Sequence, residues 1–279
     1  MNPPLPPDAA PRVGVFDSGL GGLSILRAIR ERLPHHELLY VADSGNAPYG
    51  ERGEAFVVAR TLAISRFLLE QGAQCVVVAC NTATTAAVAT LRQHHPQLAI
   101  VGVEPGLKPA VSATRNQRIG VMATTGTLRS EKFRLLAQAH AAHVDLVLQA
   151  CPGLAHAIEG GDLEAPQVVD LVRQHCEPLR LAGVDTVVLG CTHYPFVRHH
   201  IQAALGPEVR LIDTAEAVAR QTAQLALATA HASPDSKTEA GTASKLQLWT
   251  SGPLAPLQSA LMSWLGWHGP VATLPAAAA

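Results

Sequence analysis

Residues 76–84, VVVACNTAT, and residues 187–195, VVLGCTHYP, decide the fold. Each begins as an apolar run typical of a buried strand and continues into polar residues typical of a helix start. Strands that alternate with helices along a chain predict βαβ units around parallel sheets. Cys80 and Cys191 occupy the same place in the two stretches, 111 positions apart. This matched placement indicates two related halves.

A second pair of stretches supports the same interpretation. Residues 13–22, VGVFDSGLGG, and residues 119–127, IGVMATTGT, align Gly14 with Gly120, 106 positions later. Valine-rich buried strands resemble one another in any protein of this class, so a single matching pair would mean little. Two matching pairs in the same order favour internal duplication. We predict an α/β fold with two pseudo-symmetric lobes, each a mostly parallel sheet flanked by helices, and an active site between them.

The predicted domain division follows from these halves. Lobe A is predicted over 13–104 and 215–279, because a strand at 245–250 and a helix at 254–265 are too small to form a domain of their own. Lobe B is predicted over 105–214. The proline-rich residues 1–12 predict a flexible arm, the polar stretch 231–244 a linker, and the alanine-rich end a frayed terminus. A helix over Gln167–Leu181 is expected to break at Pro178.

Composition excludes several classes of protein. The 279 residues are 48% hydrophobic and 15% charged, with a formal net charge of -1, which argues against disorder and against a basic nucleic-acid surface. No apolar run reaches the roughly 18 residues that a membrane helix needs. The first twelve residues lack the features of a signal peptide. Five scattered cysteines without a C-x2-C pair favour free thiols in a reducing cytoplasm and argue against structural zinc.

The two cysteines at strand ends are the candidate acid/base groups. Ligands of parallel sheets bind beyond the carboxyl ends of the strands, where Cys80 and Cys191 are predicted. A helix N-terminus there would bias each thiol toward thiolate. Two thiols facing a small anionic substrate could remove a proton from one face of a carbon and return one to the other face. The other three, Cys75, Cys151 and Cys176, are predicted to be buried and inert.

Several polar residues flank these thiols, and each has two interpretations. Asp17 and Ser18 end the first strand. Asp17 could orient an ammonium group or assist the thiol, and Ser18 could hydrogen-bond a carboxylate, or both could cap the turn. Asn81, Thr82 and Thr192 would donate to substrate carboxylates or cap helices. His193 could orient Cys191 or exchange a proton with it. The glycines of 17–22 have neither Rossmann nor P-loop spacing.

Five motifs together resemble the glutamate racemases of the aspartate/glutamate racemase family. They are GVFDSGLGGLSIL (14–26), YVADSGNAPYGERG (40–53), VVVACNTATT (76–85), VGVEPGLKPA (101–110) and LGCTHYP (189–195). The resemblance implies cofactor-independent racemisation of glutamate by paired thiols, with D-glutamate supplied to peptidoglycan, and it leaves a homodimer open. The implied catalytic positions are Cys80, Cys191, Asp17, Glu159 and His193. The implied substrate-binding positions are Asp17, Ser18, Tyr49, Gly50, Asn81, Thr82, Thr192 and His193.

Three alternatives stay open at this point. The same fold serves racemases of aspartate or hydantoins and a related decarboxylase. A pyridoxal-phosphate racemase would need a Schiff-base lysine, and none of Lys108, Lys132, Lys237 and Lys245 stands in a phosphate-binding context. A non-catalytic ligand-binding protein, or one that acts on a DNA-processing enzyme, would have no use for two matched thiols. Racemisation of L-glutamate without added cofactor separates these alternatives.

Overall fold

Two parallel sheets form the frame of the protein. A computed structural model of the chain describes residues 11–231, 245–276 and 278. The strands are β1 (Arg12–Asp17), β2 (Leu38–Ala42), β3 (Ala73–Val78), β4 (Ala99–Gly102), β5 (Arg118–Ala123), β6 (Asp145–Ala150), β7 (Thr186–Gly190), β8 (Arg210–Ile212), β9 (Leu246–Thr250) and β10 (Val271–Thr273). Their order is β10-β9-β2-β1-β3-β4 in the first sheet and β6-β5-β7-β8 in the second.

Eleven α-helices of the described ranges connect and cover these strands. They are α1 (Leu23–Arg32), α2 (Glu54–Glu70), α3 (Asn81–His94), α4 (Leu107–Ala113), α5 (Thr125–Arg129), α6 (Glu131–Ala141), α7 (Leu154–Glu159), α8 (Pro166–Leu181), α9 (Arg198–Leu205), α10 (Ala215–His231) and α11 (Leu254–Leu265). Short 3-10 helices occupy Ser44–Asn46, Tyr49–Glu51 and Tyr194–Val197. None of the helices in the described ranges is long and apolar enough to cross a membrane.

The strand order confirms the internal duplication. The core order β2-β1-β3-β4 of the first sheet repeats as β6-β5-β7-β8 in the second. The register repeats as well, because Gly14 pairs with Val76 in one sheet and Gly120 pairs with Val187 in the other. All the neighbouring strand pairs in the described ranges are parallel. The predicted fold is therefore confirmed, down to the residues that occupy equivalent positions.

The alternation of side chains along each strand builds a core on both faces of each sheet. In β1, Val13 and Val15 pack with apolar residues of α1, α10 and α11, whereas Phe16 packs on the opposite face with residues of α2 and α3. The second sheet is covered by α7, α8 and α9 on one face and by α4 and α6 on the other. The carboxyl ends of β1, β3, β5 and β7 remain for the loops that carry the polar motifs.

The C-terminal segment adds two strands to the first sheet. β9 pairs with β2, and β10 pairs with β9. Ala278 is only 5% exposed, and its carbonyl accepts a hydrogen bond from the Arg60 guanidinium at 2.9 Å. The expectation of a frayed terminus is therefore wrong at this residue. The predicted arm is wrong at Arg12, which belongs to β1. Residues 1–10 of the arm and residues 232–244 of the predicted linker lie outside the described ranges.

Two local predictions are wrong for identifiable reasons. α8 continues through Pro178. The missing N–H affects the last turn alone, and the buried neighbours Cys176 and Leu179 hold that turn against the second sheet. No α-helix begins directly after Cys191: a 3-10 helix with Pro195 in its first turn intervenes before α9. In addition, the turn at 124–127 contains the short helix α5.

Neighbouring residues of α11 provide a matched test of this packing. Leu261 is 1% exposed and belongs to the core of the first sheet, whereas Met262 is 55% exposed. Leu261→Ala should lower the free energy of unfolding by about 3 kcal/mol, because it removes buried methyl groups and leaves a cavity. Met262→Ala should change it by less than about 0.5 kcal/mol. Urea denaturation measures both, and equal effects would contradict the docking of α11.

Candidate active site

The turn that follows β1 places Asp17 at the centre of a polar network. Asp17 is fully buried, and its Oδ1 accepts a hydrogen bond from the Gly19 backbone at 2.8 Å. Its Oδ2 accepts one from the Thr192 hydroxyl at 3.0 Å, so the carboxyl joins the first sheet to the loop after β7. Burial raises the pKa of Asp17 to about 6, although the neighbouring His193 acts in the opposite direction. Two of the predicted site residues, Asp17 and Thr192, are thus brought together.

Cys80 caps the start of α3 and contacts the turn after β1. Its Sγ accepts a hydrogen bond from the Ala83 backbone at 3.5 Å and lies 3.4 Å from the Ser18 hydroxyl. Burial, followed by the negative charge of Asp17, raises the pKa of Cys80 to about 12. The expected bias toward thiolate is therefore wrong for Cys80 in this state of the protein, because the helix N-terminus is outweighed by lost solvation. Cys80 is held as a neutral thiol.

Cys191 is part of a different arrangement. Its Sγ lies 3.6 Å from Nδ1 of His193, and Nε2 of His193 lies 2.5 Å from Oε1 of Glu159. Burial alone would lower the pKa of His193, but its hydrogen bonds to Cys191 and Glu159 outweigh burial and hold the pKa well above 6.5. A thiol, an imidazole and a carboxylate are therefore aligned, an arrangement in which the imidazole can exchange a proton with the thiol.

The glycines after Asp17 allow the two halves to approach. A Cβ at Gly19 would overlap the Glu159 carboxylate, and one at Gly21 would overlap the His193 ring. In the space left by these glycines, Oε1 of Glu159 accepts a hydrogen bond from the Leu20 backbone at 2.5 Å. The glycine-rich turn is therefore neither a phosphate cradle nor only a turn, because it receives the Glu159 and His193 side chains of the other half.

A hydroxyl cluster lies on the other side of the cleft. The Thr82 hydroxyl is 3.1 Å from that of Thr124 and 3.5 Å from that of Thr127. Gly50 lies against Thr124, since a Cβ at Gly50 would contact its side chain at 2.8 Å. Sequence reasoning missed Thr124, although the repeat makes it the equivalent of Ser18 and could have identified it. These contacts close the cleft between the loops after β2, β3 and β5.

Tyr49 is positioned by residues that the sequence analysis did not single out. Its hydroxyl donates to Oδ2 of Asp43 at 2.5 Å, and the guanidinium of Arg60 donates to both carboxylate oxygens of Asp43 at 2.8 and 2.9 Å. Tyr49 is 1% exposed, so its side chain anchors the loop. The sequence did offer a signal for Asp43, because the DSG at 43–45 repeats the DSG at 17–19.

The remaining predicted residues divide between cleft and core. The Asn81 side chain donates to the Val103 carbonyl at 3.3 Å, and Asn81 also lines a small cavity with Cys191 and Thr192. The three cysteines predicted to be inert, Cys75, Cys151 and Cys176, are buried, and burial raises the pKa of each. Cys151 nonetheless lines a cavity of about 40 Å³ beside Gly50.

Asp17 offers a test of the electrostatics. A carboxyl whose pKa rises from 3.8 to about 6 on folding retains a proton that the unfolded chain releases, so its contribution to stability falls as pH rises through this window. Asp17→Asn should therefore raise the free energy of unfolding above pH 6, by at most about 3 kcal/mol, and should change it little below pH 4. Urea denaturation between pH 4 and 8 measures this, and a gain independent of pH would contradict it.

Comparison with known proteins identifies the family. A family model described as Asp/Glu/Hydantoin racemase matches residues 23–222. The glutamate racemase of Ectopseudomonas mendocina is 48% identical over 259 residues, which cover 91% of this chain and 94% of that protein. A glutamate racemase isoform from Bacillus anthracis superposes with a TM-score of 0.82 at 30% identity, covering 96% of this chain and 98% of that one. The Escherichia coli glutamate racemase in complex with L-glutamate and the activator UDP-MurNAc-Ala gives 0.82 at 31% identity, covering 95% and 98%. The chain belongs to the Asp/Glu/hydantoin racemase family.

Proposed function

We propose that this chain interconverts L- and D-glutamate by proton transfer at the α-carbon, with Cys80 and Cys191 as the two acid/base groups. The observation that carries the proposal is the equivalent placement of two buried thiols, one after β3 and one after β7, at the ends of strands with the same register. Relatives that span most of the chain are named glutamate racemases, which supports glutamate as the substrate.

The mechanism follows from the unequal environments of the thiols. Cys191, with His193 beside it to take up its proton, acts as the thiolate that removes the α-proton of L-glutamate. The electron pair left on carbon is stabilised by fixed N–H and hydroxyl donors around the substrate carboxylate. Cys80, held neutral by burial and Asp17, then donates its proton to the opposite face. D-glutamate leaves a Cys80 thiolate and a Cys191 thiol, and the reverse reaction begins from that state.

Roles for the other residues follow from their contacts. Asp17 would face the substrate ammonium, while Ser18, Thr192 and the backbone of Tyr49 and Gly50 would hold the carboxylates. The substrate would also be lined by Asn81, Thr82 and Thr124. Cys80 and Cys191 are only 5% and 7% exposed, so substrate access requires the Thr82–Thr124 contact to open. Glu159 acts through His193.

The proposal extends to the cellular setting. The reaction needs neither metal nor cofactor, because thiols and fixed donors perform every step. D-glutamate would serve peptidoglycan synthesis, and five free cysteines suit the cytoplasm.

We also propose the division into lobe A (13–104 and 215–279) and lobe B (105–214). That the protein forms a homodimer stays a prediction, which the molecular mass measured by analytical ultracentrifugation would test.

Single substitutions separate the two thiols. Each of Cys80→Ser and Cys191→Ser should lower racemisation by several orders of magnitude, since a hydroxyl is a far weaker acid than a thiol. Elimination of HCl from β-chloroglutamate needs only the abstracting base. Cys80→Ser should therefore retain elimination from the L form, and Cys191→Ser from the D form. Chloride release with each enantiomer measures this.

The outcomes are distinct. Equal loss with both enantiomers in both variants would overturn the two-base mechanism, whereas exchanged preferences would reverse only the assignment of faces. Cys176→Ser is the matched control and should keep racemisation. Activity should also survive a chelator and hydroxylamine. Faster turnover of aspartate or a hydantoin than of glutamate would refute the proposed substrate.

Gly19 tests the approach of the halves. Gly19→Ala should lower racemisation at least tenfold, because its Cβ displaces the Glu159 carboxylate and thereby frees His193. The control is Gly53→Ala, whose Cβ has no neighbour among the described residues within 4 Å. With β-chloroglutamate, Gly19→Ala should impair elimination from the L form more than from the D form. Wild-type rates in Gly19→Ala would contradict the role given to Glu159.

A further inference from the structure

A cluster of two histidines and a carboxylate lies outside the active site. His199 and His200 occupy the first turn of α9, and Glu164 lies in the connection between α7 and α8. Nε2 of His199 is 2.9 Å from Oε1 of Glu164, and Nε2 of His200 is 3.3 Å from Oε2. The three groups offer ligand atoms within 4.8 Å of one another.

These distances match those around a bound cation. Ligand atoms of a tetrahedral site with bonds of about 2.0–2.1 Å lie about 3.4 Å apart. The two Nε2 atoms lie 2.9 and 3.3 Å from the Glu164 oxygens, and all three ligand atoms lie within 4.8 Å of one another. Rotation of the exposed His199 and Glu164 side chains would bring them to this spacing. The His200 side chain is 15% exposed, and its Nε2 lies 3.1 Å from the Leu163 carbonyl, a hydrogen bond that a cation at this atom would replace. The exposed His199 leaves the cluster open to solvent.

We propose that His199, His200 and Glu164 form a binding site for a divalent transition-metal ion of the Zn²⁺, Co²⁺ and Ni²⁺ class. Two imidazoles and one carboxylate suit these borderline ions, with water completing the coordination, and they do not suit Mg²⁺ or Ca²⁺, which prefer oxygen ligands. The sequence analysis missed the site because its ligands come from two distant segments, not from one C-x2-C or His-x3-His pattern.

The site would fasten the segment that follows Glu159. Residues 160–165 connect Glu159 to α8, and the Gly161 carbonyl in this segment accepts a hydrogen bond from the Trp264 indole at 3.3 Å. A cation at Glu164 would tie the other end of the segment to α9. Because the cluster is separate from the two thiols, the ion is structural and takes no part in proton transfer.

Cobalt binding to the untagged full chain is the direct test. We expect visible absorption that saturates at one Co²⁺ per chain, without the near-ultraviolet band of a thiolate ligand. His199→Ala and Glu164→Gln should each weaken binding at least tenfold. The matched control is the double variant His94→Ala/His95→Ala, which removes another adjacent histidine pair at the end of α3 and should bind as the wild type does.

A second measurement separates binding from folding. Zn²⁺ should raise the thermal midpoint of the wild type by a few degrees and leave that of His199→Ala unchanged, while the metal-free midpoints of both agree. A chelator should reverse the shift and leave racemisation intact. Absence of saturable Co²⁺ binding, unchanged binding in both His199→Ala and Glu164→Gln, or a thiolate band that disappears in Cys191→Ser would each overturn the proposal.

Discussion

The contact of the turn after β1 with Glu159 and His193 is the interaction on which the site depends. The buried imidazole of His193 and the half-buried carboxylate of Glu159 lose solvation, so they need polar partners close by. The Leu20 N–H supplies one partner and the absence of side chains at Gly19 and Gly21 provides the space. The same turn carries Asp17, which binds Thr192 across the cleft. One glycine-rich turn thus sets the distance between the halves and the orientation of their reactive groups.

The electrostatics of this contact explain why the two thiols differ. The reaction requires one thiol and one thiolate at a time, so two equivalent sites would be a disadvantage. Asp17 lies next to Cys80 and, together with burial, disfavours a charge there. His193 lies next to Cys191, and its hydrogen bonds to Cys191 and Glu159 raise its pKa, which favours transfer of a proton from Cys191 to the imidazole. The equivalent strands therefore end in different residues: DSGLGG in the first half corresponds to ATTGT in the second, and ACNT corresponds to GCTH.

Sequence patterns predicted the strands and the equivalence of the two halves, because both leave a regular spacing of residues in the sequence. The alternation of apolar residues fixes the strands, and the repeat of Gly14 and Cys80 at Gly120 and Cys191 predicted the common register. What the patterns missed depends on distant contacts. Three features rely on packing partners from elsewhere in the chain: the Asp43–Arg60 pair behind Tyr49, the edge strand β10 and the uninterrupted α8. The pKa of Cys80 is also a property of its surroundings, which a helix N-terminus alone does not decide.

The asymmetry of the thiols has a thermodynamic limit. The enantiomers of glutamate have equal free energies, so kcat/KM must be the same in both directions for the wild type and for any variant. Unequal environments can therefore redistribute the barriers between the two half-reactions, but they cannot favour one product at equilibrium. Which of the two faces Glu159 or Asp17 serves is for this reason not visible in a comparison of kcat/KM between the two directions of racemisation. It becomes measurable where the half-reactions are uncoupled, as in elimination from a β-halogenated substrate, which makes each face accessible by itself.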